Sequence, residues 1–149
     1  MEEQKVVDII RRMRHDFGNY LQVIGGYLEL DKKEQAQYYI REIAGRMAQE
    51  RIIFELLPAD QALYFYQQVL LARELGVILV YEDFDIKSLA VLEAYQEPGN
   101  TLKKLADGIN KENDVVIALS LYEDENGIEL LFKSDTFRDG PVRLRLNRE

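Results

Sequence analysis

The segment RHDFGNYLQVI, residues 14–24, lies at the centre of a long apolar repeat and contains the single histidine of the chain. Apolar residues recur there at steps of three and four, the spacing that lines one face of an α-helix. They are Val6, Ile10, Met13, Phe17, Leu21, Ile24 and Leu28. The segment therefore predicts an amphipathic helix that runs from about Glu2 to Leu30.

His15 falls on the opposite side of this predicted helix. It is two residues from both Met13 and Phe17, so it is rotated by roughly 200° from each of them. Five further residues share its side: Arg11, Arg12, Gly18, Asn19 and Gln22. A lone histidine is most often a surface residue without a task. An exposed imidazole is, however, largely neutral at pH 7 and can act as a nucleophile.

The neighbours of His15 favour a functional reading of the segment. Asp16 can orient the imidazole ring or accept a proton, and Asn19 can hydrogen-bond a bound group one turn further on. Glycine at position 18 destabilises a helix by about 1 kcal/mol relative to alanine. A glycine in mid-helix is expected where the backbone of another segment must come close. Three arginines crowd the preceding turn, namely Arg11, Arg12 and Arg14. They are either a solvated basic face or a site that attracts an acidic partner or a phosphoryl group.

The segment from His15 to Leu30 has the pattern His-Asp-Phe-x-Asn-x-Leu-Gln-Val-Ile-x-Gly-x-Leu-x-Leu. This pattern resembles the phosphoacceptor helix of the sporulation initiation phosphotransferase B family, which is related to the phosphoacceptor domains of citrate-type sensor histidine kinases. The resemblance implies a phosphotransferase with His15 as phosphoacceptor and with Asp16 and Asn19 in support. It also implies that Arg11, Arg12, Arg14, Gly18 and Gln22 meet response-regulator receiver domains. Mg²⁺ is expected in the receiver, and no cofactor or metal is expected on this chain.

A second helix is predicted from about Glu34 to Leu57, after a short turn and before Pro58. Two helices joined by a short loop form an antiparallel hairpin, here residues 1–58. Two helices alone cannot bury both apolar stripes. The resemblance implies a homodimer with a four-helix bundle, and the alternative is that the stripes pack on the second domain. The glycine pair Gly25-Gly26 predicts either a kink or close packing.

Residues 59–149 predict a small α/β domain, so the fold class is α+β. Helices are expected from Gln61, with Asp60 as cap, and from Leu102, with Thr101 as cap. Strands are expected at 77–81, 115–122, 128–133 and 142–147, and Asn126-Gly127 predicts a type I′ hairpin turn. The order of elements resembles the ATP-binding domain of histidine kinases, in which the helix 102–110 corresponds to the Asn-containing helix that holds Mg²⁺.

This second domain lacks the loops that bind nucleotides. Its glycines, at positions 76, 99, 108, 127 and 140, form neither Gly-x-Gly nor a phosphate-binding loop. We therefore expect a degenerate, kinase-like domain without an ATP site and without ATP-dependent kinase activity.

Composition limits the classes of partner and location that the sequence allows. The net charge of −8 disfavours non-specific binding to nucleic acid, and the chain has no cysteine. No apolar run approaches the ~20 residues of a membrane span, and the start lacks a signal-peptide pattern. The expected protein is cytoplasmic, without nucleic-acid or membrane partners. A kinase-like binding module that docks on a receiver or a sensor kinase and inhibits it is the alternative to a phosphotransferase.

Overall fold

The computed structural model describes residues 2–109 and 115–148 of the chain. The chain divides into two compact units, Met1–Leu56 and Leu57–Glu149. Among the described residues, no helix combines the length and the apolar character needed to cross a membrane.

The first unit is an antiparallel helical hairpin. Helix α1 spans Glu2–Glu29 and helix α2 spans Lys33–Leu56, within one residue of the predicted limits. The turn between them places Asp31 in the left-handed region, at φ 58°. The amide of Lys32 then donates to the carbonyl of Tyr27 at 2.8 Å, which satisfies a carbonyl at the helix end. Helix α1 continues through Gly25-Gly26 without a break.

Tyrosine rings join the two helices of the hairpin, and each helix also has a buried isoleucine. Ile9 and Ile53 lie at nearly equal sequence distances from the turn, and both are buried. Nearer the turn, the ring of Tyr39 makes edge contacts with the rings of Tyr20 and Tyr27, each at a centroid distance of 6.3 Å. Burial is the main cause that raises the pKa of the Tyr39 phenol above its ordinary value. These contacts fix the register between α1 and α2.

In its described residues, 57–109 and 115–148, the second unit has three helices and four strands. The helices are α3 (Ala59–Glu74), α4 (Ala90–Tyr95) and α5 (Gly99–Asp107). The strands are β1 (Val77–Asp85), β2 (Val115–Glu123), β3 (Gly127–Lys133) and β4 (Val142–Asn147). They form one sheet in the order β1-β2-β3-β4, in which β1 is parallel to β2 and the other pairs are antiparallel. The α+β class, with N-terminal helices followed by a small mixed sheet, is confirmed.

Alternating apolar residues build the core of this unit. In β2, Ile117, Leu119 and Leu121 are fully buried on one face of the sheet, and they lie beside buried partners on β1 and β3. Helix α3 packs on β1, α5 packs on α3, and α4 packs on β3 and β4. The two-residue period of the strands thus directs one face of the sheet toward the helices.

An aromatic cluster joins α3 to β1 within this core. The rings of Phe65, Tyr81 and Phe84 lie 4.7 to 5.3 Å apart between centroids. The Tyr81 hydroxyl donates to the carbonyl oxygen of Phe65 at 3.0 Å, so this buried polar group has a partner. Residues Phe84 and Tyr81 meet the same helix because β1 has a bulge between Tyr81 and Asp83.

The two predicted helix caps in this unit are wrong. Helix α3 begins after Pro58, so Asp60 lies within its first turn. Helix α5 begins after Pro98, and Thr101 is likewise inside the helix. The amide of Thr101 donates instead to the carboxylate of Glu97 at 2.7 Å, and this preceding side chain satisfies the helix start.

The predicted type I′ turn is also wrong. Neither Asn126 nor Gly127 has a positive φ. The carboxylate of Asp124 closes the turn by accepting hydrogen bonds from the amides of Asn126 and Gly127, at 2.8 and 3.0 Å. Glycine is required at 127 for space, because a Cβ there would overlap the carbonyl oxygen of Leu146 on β4.

Candidate phosphoacceptor site

The candidate site is centred on His15 in the middle of the unbroken helix α1. The His15 side chain is 67% exposed. Its imidazole therefore projects from the helix into solvent, as the periodicity predicted. An exposed ring of this kind is accessible to a group carried by another protein.

The structure divides the apolar residues of α1 between two faces. One face, with Ile9, Tyr20 and Tyr27, packs toward α2. The other carries large apolar side chains that are exposed in the single chain, namely Ile10, Phe17, Leu21 and Leu28. At roughly 100° per residue, this exposed strip is rotated by about 140° from His15. His15 therefore lies on neither apolar face.

Helix α2 has a matching exposed strip. Ile40, Met47 and Phe54 recur every seven residues and are all exposed. On each helix, the strip is displaced in the same rotational sense from the side that faces the other helix. Because the helices are antiparallel, displacement in the same direction of rotation places both strips on the same side of the hairpin. We call the two strips together the apolar face, and His15 points away from it.

Asp16 lies beside the imidazole and is much less exposed. Its side chain is 14% exposed, and its Oδ1 is 3.6 Å from Nδ1 of His15. The same oxygen is 3.6 Å from Nε of Arg12, whose side chain is 30% exposed. The carboxylate thus lies between a guanidinium and one ring nitrogen of His15. The 3.6 Å separation is longer than a hydrogen bond, so the carboxylate acts on the ring through its charge, from the side of Nδ1.

The other predicted arginines differ in their surroundings. Arg11 forms an ion pair with Asp8, with Nη1 at 3.5 Å from Oδ1, and remains largely exposed. Arg14 is exposed at the border between the polar side and the apolar face. Of the three arginines, only Arg12 lies against the carboxylate beside His15.

Gly18, Asn19 and Gln22 are exposed on the polar side of α1, within two turns of His15. Apart from the two adjacent residues and the local helix backbone, no atom of the described residues lies within 4 Å of the position that a Cβ would take at Gly18. The hairpin itself therefore does not require glycine at this position. All the predicted site residues lie on one helix, and the structure brings Asp16 and Arg12 closest to the ring.

The second unit contains no group of three or more histidine, cysteine or acidic residues that could hold a metal ion, within the part of the chain that the structure describes. Helix α5 occupies most of the segment 102–110, which the sequence predicted to correspond to the Asn-containing helix of the kinases. Asn110, at the end of that segment, lies outside the described residues.

The comparison with family models concerns the helical hairpin. Residues 1–56 match the α-helical domain of the SpoOB-type sensor kinases. The resemblance predicted from His15 to Leu30 is therefore confirmed, and the SpoOB-type match relates this hairpin to two-component signalling. No curated protein matches the sequence.

Periodicity alone failed to separate the two apolar faces. It assigned Met13, Phe17 and Ile24 to a single stripe, although Phe17 is exposed and the other two are partly covered. The seven-residue recurrence of Ile40, Met47 and Phe54 was the available signal, since that spacing marks a second seam in helix packing.

Proposed function

We propose that the protein is a phosphotransferase of a bacterial phosphorelay. His15 accepts a phosphoryl group from the aspartate of one response-regulator receiver domain and passes it to the aspartate of another. The observation that carries this proposal is the exposed imidazole on the polar side of a SpoOB-type helix, turned away from the apolar face.

The transfer is a substitution at phosphorus. The lone pair of Nε2 attacks the aspartyl phosphate in line, an N–P bond forms, and the P–O bond to the receiver aspartate breaks. The aspartate leaves as a carboxylate, and the proton stays on Nδ1, so the phosphorylated ring carries a positive charge. The Asp16 carboxylate at 3.6 Å stabilises this charge. The second transfer reverses these steps toward another receiver.

The residues around His15 divide this work between them. Arg12 holds Asp16 beside the ring. Gly18 admits a loop of the receiver, while Asn19 and Gln22 line the contact. The exposed guanidinium groups of the two outer arginines, Arg11 and Arg14, attract the acidic rim of the receiver site.

The receiver supplies the metal in this proposal. Its carboxylates hold Mg²⁺, which neutralises the phosphoryl oxygens, so this chain needs only a positioned nucleophile. The second unit acts as a degenerate kinase-like docking surface without ATP-dependent activity. A ligand that binds only the folded state must raise its melting temperature. A rise with Mg-ATP would therefore contradict this part of the proposal.

The apolar face supports a homodimer. Seven large apolar side chains, from Ile10 on α1 to Phe54 on α2, are exposed on one side of the hairpin. Single exposed apolar residues are common on proteins, but a contiguous face of this kind marks an interface. Two hairpins that join through this face form a four-helix bundle and leave both copies of His15 outside.

Labelling from a phosphorylated receiver tests the phosphotransferase proposal. His15 is the only histidine, so acid-labile, alkali-stable label on this chain reports its phosphorylation. We expect His15→Gln to remove the label and to leave the melting temperature unchanged, because the side chain is exposed. Label that persists on His15→Gln would contradict the site. A stable complex with a receiver that never transfers label would instead identify an inhibitory binding module.

A further inference from the structure

A cavity of about 700 Å³ lies in the second unit, and its lining includes no residue of the phosphoacceptor helix. It is formed by the connection between β1 and α4, by α4 itself, and by the ends of β2 and β4. Its volume falls within the range of roughly 300–1,000 Å³ that is usual for small-molecule sites. Nothing in the phosphotransfer chemistry uses this cavity.

Hydrogen bonds fix the walls of the cavity. The Glu123 side chain, which is 5% exposed, accepts the amides of Lys87 and Ser88 at 2.7 and 3.4 Å. It is also paired with the guanidinium of Arg148. The hydroxyl of Tyr95, another lining residue, donates to the carbonyl oxygen of Asn147 at 3.0 Å. These direct bonds fix the positions of the lining residues in the absence of a ligand, which lowers the cost of binding.

One wall of the cavity is apolar and concave. It consists of Ala90, Val91, Ala94 and the ring of Tyr95. Ala90 and Ala94 are one helical turn apart and have no side chain beyond Cβ, so this face of α4 is open. The half-exposed ring of Tyr95 offers a flat surface at the end of the wall.

The polar groups of the cavity are mainly donors. Lys87 is a lining residue of the cavity, and its ammonium forms no ion pair or hydrogen bond with other described residues. The Ser88 Oγ accepts the amide of Ala90 at 3.1 Å, which leaves its proton free to donate. The Glu123 oxygens are already engaged by three donors. The cavity lining therefore has two positively charged residues, Lys87 and Arg148, and one negatively charged residue, Glu123. This local positive balance contrasts with the net charge of −8 of the whole chain.

We propose that this cavity binds a small aromatic carboxylate. The ring lies against Ala90, Ala94 and Tyr95, and the carboxylate accepts hydrogen bonds from Lys87 and Ser88. A ligand with an apolar body and an acceptor-only anionic head matches both the apolar wall and the excess of donors. The ligand is small because the open wall is a single six-residue helix.

Calorimetric titration of the full chain with 2-naphthoate tests this site. We expect saturable binding to wild type, about tenfold weaker binding to Lys87→Met, and weaker binding to Ala94→Leu, which fills the open wall. Lys103→Met is the matched control, since Lys103 is an exposed lysine on α5 outside the cavity. Its affinity should equal that of wild type.

The neutral analogue 2-naphthamide separates the anionic head from the apolar body. We expect it to bind at least about tenfold more weakly than 2-naphthoate. The proposal is overturned if 2-naphthoate shows no saturable binding at millimolar concentration, or if Lys87→Met and Ala94→Leu both bind it as wild type does. Equal binding of the amide and the carboxylate also overturns it. Melting curves confirm that each variant is folded before titration.

Discussion

Oδ1 of Asp16 lies 3.6 Å from Nδ1 of His15, and the two residues are adjacent on a helix that exposes one and covers the other. The ring is free to meet a partner, while the carboxylate is held beside it by the hairpin and by Arg12. Two unit charges about 4 Å apart interact by about 1 kcal/mol in water and by about 4 kcal/mol near a protein surface. The nearly covered position of Asp16 favours the upper part of this range.

Asp16→Asn should slow phosphoryl transfer to His15 by about tenfold or more, because the amide no longer stabilises the positive ring. Single-turnover transfer from a phosphorylated receiver measures the rate. Asp8→Asn is the matched control, since Asp8 pairs with the exposed Arg11 and lies about two helical turns before His15. Equal transfer rates for Asp16→Asn and Asp8→Asn would remove Asp16 from the mechanism.

Gly18→Ala should stabilise the hairpin and impair transfer. No described atom beyond the adjacent residues and the local helix backbone lies within 4 Å of the new methyl group, and alanine favours a helix by about 1 kcal/mol over glycine. Gly45→Ala in α2 has the same open surroundings and should raise the urea midpoint equally without changing transfer. If transfer is also unchanged in Gly18→Ala, then the receiver does not approach at Gly18.

Leu21→Lys should separate the dimer into monomers that remain helical. Leu21 is 69% exposed in the single chain, so the folded hairpin loses little, whereas a charge inside the proposed bundle has no partner. Tyr38→Lys places the same charge on an exposed position of α2 opposite the apolar face and should remain dimeric. Analytical ultracentrifugation distinguishes the two results. A wild-type chain that sediments as a monomer would contradict the bundle.

The sequence predicted the helical hairpin closely because its signals are local. The three-four periodicity and Pro58 set the limits of α1 and α2 within one or two residues, and the same periodicity placed His15 in solvent. The missed features depend on competition between neighbouring groups. Asp60 and Thr101 could cap helices, but the chain enters both helices through prolines. Asn126-Gly127 favours one turn, but the side chain of Asp124 stabilises another.

The cavity in the second unit was beyond sequence reasoning for a different reason. The cavity is lined by residues from three distant segments of the chain, such as Lys87, Glu123 and Arg148. Only the register of the sheet brings these residues to the same place. The periodicity within one helix or strand gives no information about which distant segments lie next to each other. The phosphoacceptor site could be predicted because all of its residues belong to one helix.

Arg145→Met should reduce the loss of stability in acid. The hydrogen bond from Arg145 is the largest cause that lowers the pKa of Asp124 from 3.8 to about 2. A lowered pKa contributes stability above the unfolded value of 3.8, and this contribution is lost as pH falls toward 2. The variant should therefore show a shallower fall in urea midpoint across this window. Arg143→Met, which removes the pair with Glu129, serves as control and should keep the wild-type slope.

Tyr64→Phe should flatten the loss of stability in alkali. Burial is the largest cause that raises the pKa of Tyr64 from 10.0 to about 12, followed by the charges of Glu93 and Glu97. Because a raised tyrosine pKa stabilises the fold below the unfolded value, this contribution is lost as pH rises from 10 toward 12. Near neutral pH the variant should lose about 1 kcal/mol of unfolding free energy, since the Tyr64 hydroxyl donates to the carbonyl oxygen of Glu97.

Tyr95→Phe also removes a hydrogen bond to a carbonyl but from an exposed ring, so it should retain the wild-type alkaline slope. Urea midpoints measured from neutral to alkaline pH give both quantities, and identical slopes for wild type and Tyr64→Phe would show that Tyr64 does not control this transition.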